Sequence, residues 1–120
     1  MKKILVVDDE VDIVEVLKLR LEANSYSVSV ALDGAIGLEK AKSEKPDLIL
    51  LDIAMPKLDG YNFVKEIKAD EATRGMPIII LTAKDKMKDL FEIEGIKDYI
   101  VKPFDPEKLI ARVEKVLIGE

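Results

Sequence analysis

Four short apolar runs divide this sequence, and each stops on a residue capable of chemistry. Ile4-Leu5-Val6-Val7 stops on Asp8-Asp9, Leu48-Ile49-Leu50-Leu51 on Asp52, Ile78-Ile79-Ile80-Leu81 on Thr82, and Tyr99-Ile100-Val101 on Lys102-Pro103. Between the runs lie stretches whose apolar residues recur with helical spacing. Strand runs alternating with helix-period segments predict βαβ units and a parallel sheet. In an open parallel sheet the carboxyl ends of the strands line one crevice, and ligands bind there. Such a fold brings three carboxylates, a hydroxyl and an ammonium to one place.

The elements follow from this pattern. Strand 1 falls at about 3–7 and the first helix at about 11–23, stopped by Asn24. Strand 2 covers 26–31, where Val28 and Val30 alternate with Ser27 and Ser29. Alternation marks a half-exposed strand near an edge, whereas the continuous runs of strands 1, 3 and 4 mark burial on both faces. Asp33 reads as the N-cap of a second helix that ends before Pro46. Strand 3 is 47–51, and Met55-Pro56-Lys57-Leu58-Asp59-Gly60 carries turn residues. A third helix runs to about Ala69 with Phe63, Val64 and Ile67 on one face, and Pro77 opens strand 4. A short fourth helix is expected at about 85–93, with Met87, Leu90 and Phe91 inward, before strand 5 at 98–101. Asp105-Pro106 starts a fifth helix as N-cap and first residue. Its apolar stripe is Leu109, Ile110, Val113, Val116 and Leu117. At about 100° per residue, Ile13, Val14, Leu17 and Leu21 of the first helix share a core-facing arc. Val11, Val16 and Leu19 fall off that arc, either as ordinary scattered surface apolars or as a docking surface with Val11 nearest the acids.

Five such units in 120 residues make one α/β domain spanning 1–120, long enough for a core. The net charge of −5 argues against nucleic acid as a direct partner. No apolar run reaches the roughly 20 residues of a membrane span. Lys2 and Lys3 precede too few apolar residues for a signal peptide, so a cytoplasmic location is the default. There is no cysteine, in keeping with a reducing compartment, and no histidine. A Ser-His-Asp or Cys-His nucleophile system is therefore excluded within the chain. A zinc site would lack both favoured ligands. Oxygen-ligand chemistry remains, which favours Mg²⁺, Mn²⁺ or Ca²⁺.

Three carboxylates in one crevice repel unless a cation shares the site. Asp9 and Asp52 are the expected direct ligands, with Asp8 acting through water. Helix capping explains one acid beside the first helix, but not a third acid ending a neighbouring strand. Asp52 is the best nucleophile, since a carboxylate can form an aspartyl phosphate with Mg²⁺ neutralising the incoming oxygens. Lys102 offers a compact charge for a phosphoryl oxygen, and Thr82 one hydroxyl donor. Alone, each would read as a solvated lysine or a polar turn residue, and their equivalent strand-end positions set them apart. A cis Lys102-Pro103 bond would fix the direction of the lysine side chain.

The chain resembles the receiver domain of bacterial two-component response regulators, the chemotaxis-regulator-like fold. The carriers are Ile4-Leu5-Val6-Val7-Asp8-Asp9-Glu10, Leu51-Asp52-Ile53-Ala54-Met55-Pro56-Lys57-Leu58-Asp59-Gly60, Leu81-Thr82-Ala83-Lys84 and Asp98-Tyr99-Ile100-Val101-Lys102-Pro103-Phe104. The resemblance implies a doubly wound, flavodoxin-like sheet in the order 2-1-3-4-5 with five helices. It implies a histidine kinase or phosphotransfer protein as phosphodonor, with Asp52 taking the group. Mg²⁺, replaceable by Mn²⁺, would be bound by Asp8, Asp9, Asp52 and the backbone carbonyl of Ala54. Thr82 and Lys102 would hold the phosphoryl oxygens, and Tyr99 would swing inward as Thr82 moves. The face of the fourth helix, strand 5 and the fifth helix would then change its affinity for a downstream protein. The domain would be no turnover enzyme, only a self-phosphorylating and slowly self-dephosphorylating switch. It would be a monomer that phosphorylation can convert to a dimer.

Two departures from the family pattern stand out. Thr82 and Lys102 are 20 positions apart, about two fewer than the family implies, which shortens the fourth helix by about 3 Å and bears on dimerisation through that face. The positions two beyond Asp52 and two beyond Thr82, which the family uses to tune hydrolysis, are Ala54 and Lys84. Ala54 cannot orient an attacking water, so slow phosphate loss is expected. It also has no proton to give a leaving group, which disfavours a haloacid-dehalogenase-like hydrolase. A flavodoxin-like FMN site is disfavoured because the first loop carries Asp8, Asp9 and Glu10 where phosphate would need amides. The alternative is a constitutive interaction module that keeps the fold without the phosphate. The chain ends just after the fifth helix, which leaves a stand-alone receiver or one cut from a longer regulator.

Overall fold

The computed structural model describes residues 1–53, 60–83 and 96–118. Its elements are β1 (Lys3–Val7), α1 (Val11–Ala23), β2 (Ser27–Ala31), α2 (Gly34–Glu44), β3 (Leu48–Asp52), α3 (Gly60–Ala69), β4 (Ile78–Ala83), β5 (Ile96–Lys102) and α4 (Pro106–Ile118). The five strands form one parallel sheet in the order β2-β1-β3-β4-β5. The expected order is borne out. The helix expected at 85–93 lies outside the described residues, and α4 is the helix expected fifth.

Alternation along the central strands sorts the core into two layers. Leu5, Val7, Ile49, Leu51, Ile78 and Ile80 pack with Ala41 of α2 and Phe63, Val64 and Ile67 of α3. Ile4, Val6, Leu48, Leu50, Ile79, Leu81 and Ile100 pack with Val14, Leu17 and Leu21 of α1 and Leu109, Ile110 and Val113 of α4. Strands β1, β3 and β4 are thus apolar on both faces because helices cover both, whereas edge strand β2 stays half-buried except at Ala31. In α1 the expected arc faces the core, while Val11, Val16 and Leu19 are exposed.

Local chemistry sets the helix ends. Asp33 caps α2 by accepting from the Ile36 N–H at 2.8 Å. Lys45 adopts left-handed backbone (φ 49°) at its end, just before Pro46. Asp105 caps α4 by accepting from the Glu107 N–H at 2.9 Å. The α1 end is closed by the Asn24 side chain donating to the Arg20 carbonyl at 2.9 Å. Strands β2 to β5 each differ from expectation by one or two residues at an end, and two of these differences have a visible cause. Strand β5 begins at Ile96, two residues early, because a register shift between Ile78 and Ile79 lets Ile96 pair before Asp98. Strand β3 begins after Asp47, whose carboxylate accepts from the Lys3 N–H at 2.7 Å and ties the segment to β1. Among the described residues, no helix is long and apolar enough to cross a membrane.

Candidate functional site

Register brings the strand ends level. Val7 pairs with Leu51, Asp52 with Leu81, and Ala83 with Lys102. Asp8 follows Val7, and it continues the parity of Val6. Asp52 continues that of Leu50, and Lys102 that of Ile100. All three therefore emerge toward the α1/α4 face at the carboxyl edge of the sheet. The side chains meet there. The Lys102 ammonium lies 3.0 Å from Asp8 Oδ2, 3.2 Å from Asp52 Oδ2 and 2.9 Å from Glu10 Oε1. The Lys102-Pro103 peptide bond is cis.

The burial is uneven. The Asp8 and Asp52 side chains are 0% and 1% exposed and Lys102 13%, whereas Glu10 at the mouth is 53% exposed. Asp8 Oδ1 also accepts from the Glu10 N–H at 2.9 Å, which fixes the turn from β1 into α1. Burial pushes the Asp8 carboxyl above its ordinary 3.8. The Glu10 N–H and Lys102 oppose that rise, and the Asp52 charge adds to it. Burial would lower Lys102, but hydrogen bonds to Glu10 and Asp8 and the Asp52 charge outweigh it and leave the ammonium above the usual lysine value.

Carboxylate oxygens of Asp8, Glu10 and Asp52 lie within 4.8 Å of one another. They are hard donors already gathered about a cation, the ammonium of Lys102. Charge and ligand type both fit a hard divalent ion. Asp9, a ligand expected from sequence, is exposed and outside this cluster. Ala54 lies outside the described residues, as does Lys84. Glu10 was legible only as the last letter of an acidic triplet. Its approach to Lys102 depends on how the chain turns into α1, which the sequence pattern does not specify.

Thr82 is fully buried and lies inside β4, one residue before its end. It shares the parity of Ile78 and Ile80, and so the α2/α3 face. Tyr99 pairs with Ile80 and packs half-buried against the same core layer. Thr82 and Tyr99 thus share a face, with Thr82 one pleat nearer the site. The Tyr99 carbonyl accepts from Arg112 of α4 at 2.8 Å, which links β5 to that helix. Beside the acids a groove of about 610 Å³ opens between α1 and the loop after β5, lined by Ile13, Val16, Pro103, Phe104 and Pro106, with Lys102 and Glu10 at its edge.

Residues 4–114 match the response regulator receiver domain. The chain belongs to that family. Over 118 residues it is 48% identical to the alkaline phosphatase synthesis transcriptional regulatory protein PhoP of Bacillus subtilis, covering 97% of this chain and 48% of that protein. It is 45% identical over 121 residues to the response regulator ArlR of Staphylococcus saprophyticus, covering 98% of this chain and 53% of that one. This receiver domain spans about half the length of these curated relatives. Among solved structures it resembles a putative response regulator from Chloroflexus aurantiacus (TM-score 0.88, 33% identity, 98% of each chain). It also resembles the receiver domain of the sensor histidine kinase PA1611 from Pseudomonas aeruginosa (TM-score 0.86, 34% identity, 99% of this chain and 98% of that one), determined with a magnesium ion in its active-site cleft.

Proposed function

We propose that this receiver domain accepts a phosphoryl group on Asp52 from the phosphohistidine of a histidine kinase or phosphotransfer protein. The observation that carries the reading is the convergence of buried Asp8, buried Asp52 and Lys102 at the ends of three different strands. Two buried acids sharing one ammonium leave a surplus of negative charge that a divalent cation is suited to balance. Asp8, Asp9, Asp52 and the Ala54 carbonyl are the proposed holders of Mg²⁺ or Mn²⁺. When bound, the ion would neutralise oxygens of the incoming group.

In the proposed transfer an Asp52 carboxylate oxygen attacks phosphorus. The phosphorus–nitrogen bond to the donor imidazole breaks, and its electron pair stays with the imidazole. Lys102 supplies N–H donors to a phosphoryl oxygen as charge moves onto the domain. Thr82 supplies a hydroxyl donor to another. The shared face of Thr82 and Tyr99 supports a coupled inward shift of the tyrosine, and the Arg112 contact extends it to α4. That surface would then bind a downstream protein in a phosphorylation-dependent way. The groove beside α1 supports a donor seated against Val16 and Phe104, and a cytoplasmic setting suits this chemistry.

The test is phosphotransfer from purified histidine kinases and from acetyl phosphate with Mg²⁺, with Asp52→Ala as control. Label that is lost in Asp52→Ala supports the reading, whereas no label with any donor favours a constitutive interaction module. Ala54 offers no group to orient water, so Ala54→Asn is expected to shorten the lifetime of the phosphorylated domain. A timed decay of isolated label measures it, and an unchanged rate contradicts the role given to this position.

A further inference from the structure

Glu10 is the member of the strand-end cluster that the acceptor chemistry leaves without a task. It lies outside the sheet, as the residue preceding α1, and its side chain does not cap that helix. Its backbone N–H is held by Asp8 at 2.9 Å, so the base of the side chain is fixed. Its carboxylate instead reaches across the mouth of the site to Lys102 at 2.9 Å, the shortest of the three ammonium–carboxylate distances. Asp8 and Asp52 are sealed within the fold, while the Glu10 side chain is half exposed at the mouth of the site.

We propose that Glu10 is a positioning residue that tethers Lys102 in the resting domain and releases it when a phosphoryl group arrives on Asp52. The proposal rests on the acceptor reading of Asp52. An ammonium has three N–H donors and no acceptor, and three carboxylates occupy its neighbourhood in the resting state. As the group approaches, Asp52 is still a carboxylate, so a phosphoryl oxygen that is to receive one of those donors before transfer must displace one of the three. The partly exposed one is the least costly to displace, because water takes over its solvation and exposed pairs are weak. The phosphoryl dianion then competes through stronger charge-assisted bonds. The Glu10 charge also repels an incoming phosphoryl dianion at the mouth. Both effects slow acceptance, so the tether sets how readily the domain is charged.

The experiment compares wild type with Glu10→Gln, which keeps the size and the helix start, and with Glu15→Gln, which removes one charge from the exposed side of α1. In the metal-free protein, ¹⁵N NMR of the Lys102 ammonium reports its hydrogen exchange with water. With saturating Mg²⁺, acetyl phosphate reports the rate of Asp52 labelling. Glu10→Gln is expected to raise both rates by about two- to fivefold, the scale of a partly exposed ion pair, with Glu15→Gln at wild-type values. Unchanged ammonium exchange, or slower labelling, in Glu10→Gln overturns the tether. An equal gain in Glu15→Gln assigns the effect to net charge and overturns it too. If wild type is not labelled at all, the acceptor reading fails, and the ammonium exchange alone decides whether Glu10 holds Lys102.

Discussion

The site depends on a few side chains whose charges do not balance within the fold. Asp8 and Asp52 are sealed from water and share Lys102 with Glu10. The raised Asp8 carboxyl turns this into a prediction about stability. Its folded-state value lies above the ordinary 3.8, so the folded protein binds the Asp8 proton more tightly than the unfolded chain does. Stability contributed by that proton is fully present below 3.8 and is lost as pH rises through the raised folded value. In metal-free buffer, Asp8→Asn should be more stable than wild type at neutral pH, and the gap should close as pH falls toward 3.8. Urea unfolding of both proteins across that window measures it, and a gap that widens with acid contradicts the account. Asp8, Asp52 and Lys102 were legible because each directly follows or ends an apolar run. Glu10 was not, because its role depends on a side chain folding back from a helix start.

Elements deliver these side chains through alternation and close approach. The continuous runs Ile4–Val7, Leu48–Leu51 and Ile78–Leu81 were legible as central strands because burial on both faces leaves no polar alternation. The early start of β5 was not legible, since the register shift beside Ile78 is a property of the pair β4–β5 and not of either sequence alone. Asp33 and Asp105 were legible as caps because their carboxylates act within the next three residues. Where α3 begins, a Cβ on Gly60 would collide with the Ile53 side chain, and Ile53 directly follows Asp52. Gly60→Ala therefore pushes on the strand end that carries the acceptor. It is expected to cost about 1–3 kcal/mol of stability, the usual scale of overpacking. Urea unfolding reads the cost, and a loss under a few tenths of a kcal/mol would mean that Ile53 moves aside freely.

At the scale of the molecule, five parallel strands carry their chemistry at one edge, and helices on both faces exclude water from two of its acids. The sheet order followed from the family resemblance and is the order observed. The face through which the domain would signal is only partly in view, since the helix expected at 85–93 lies outside the described residues. In the described part, Arg112 of α4 donates to the Tyr99 carbonyl and so joins β5 to the last helix. The strand ends together would make Asp52 a phosphoryl acceptor. Intact-mass and peptide mapping after acetyl phosphate and Mg²⁺ tests it most directly. One phosphoryl group is expected, on Asp52, dependent on Mg²⁺ and absent from Asp52→Ala. A wild-type domain that stays unmodified, or carries the group on another residue, would contradict it.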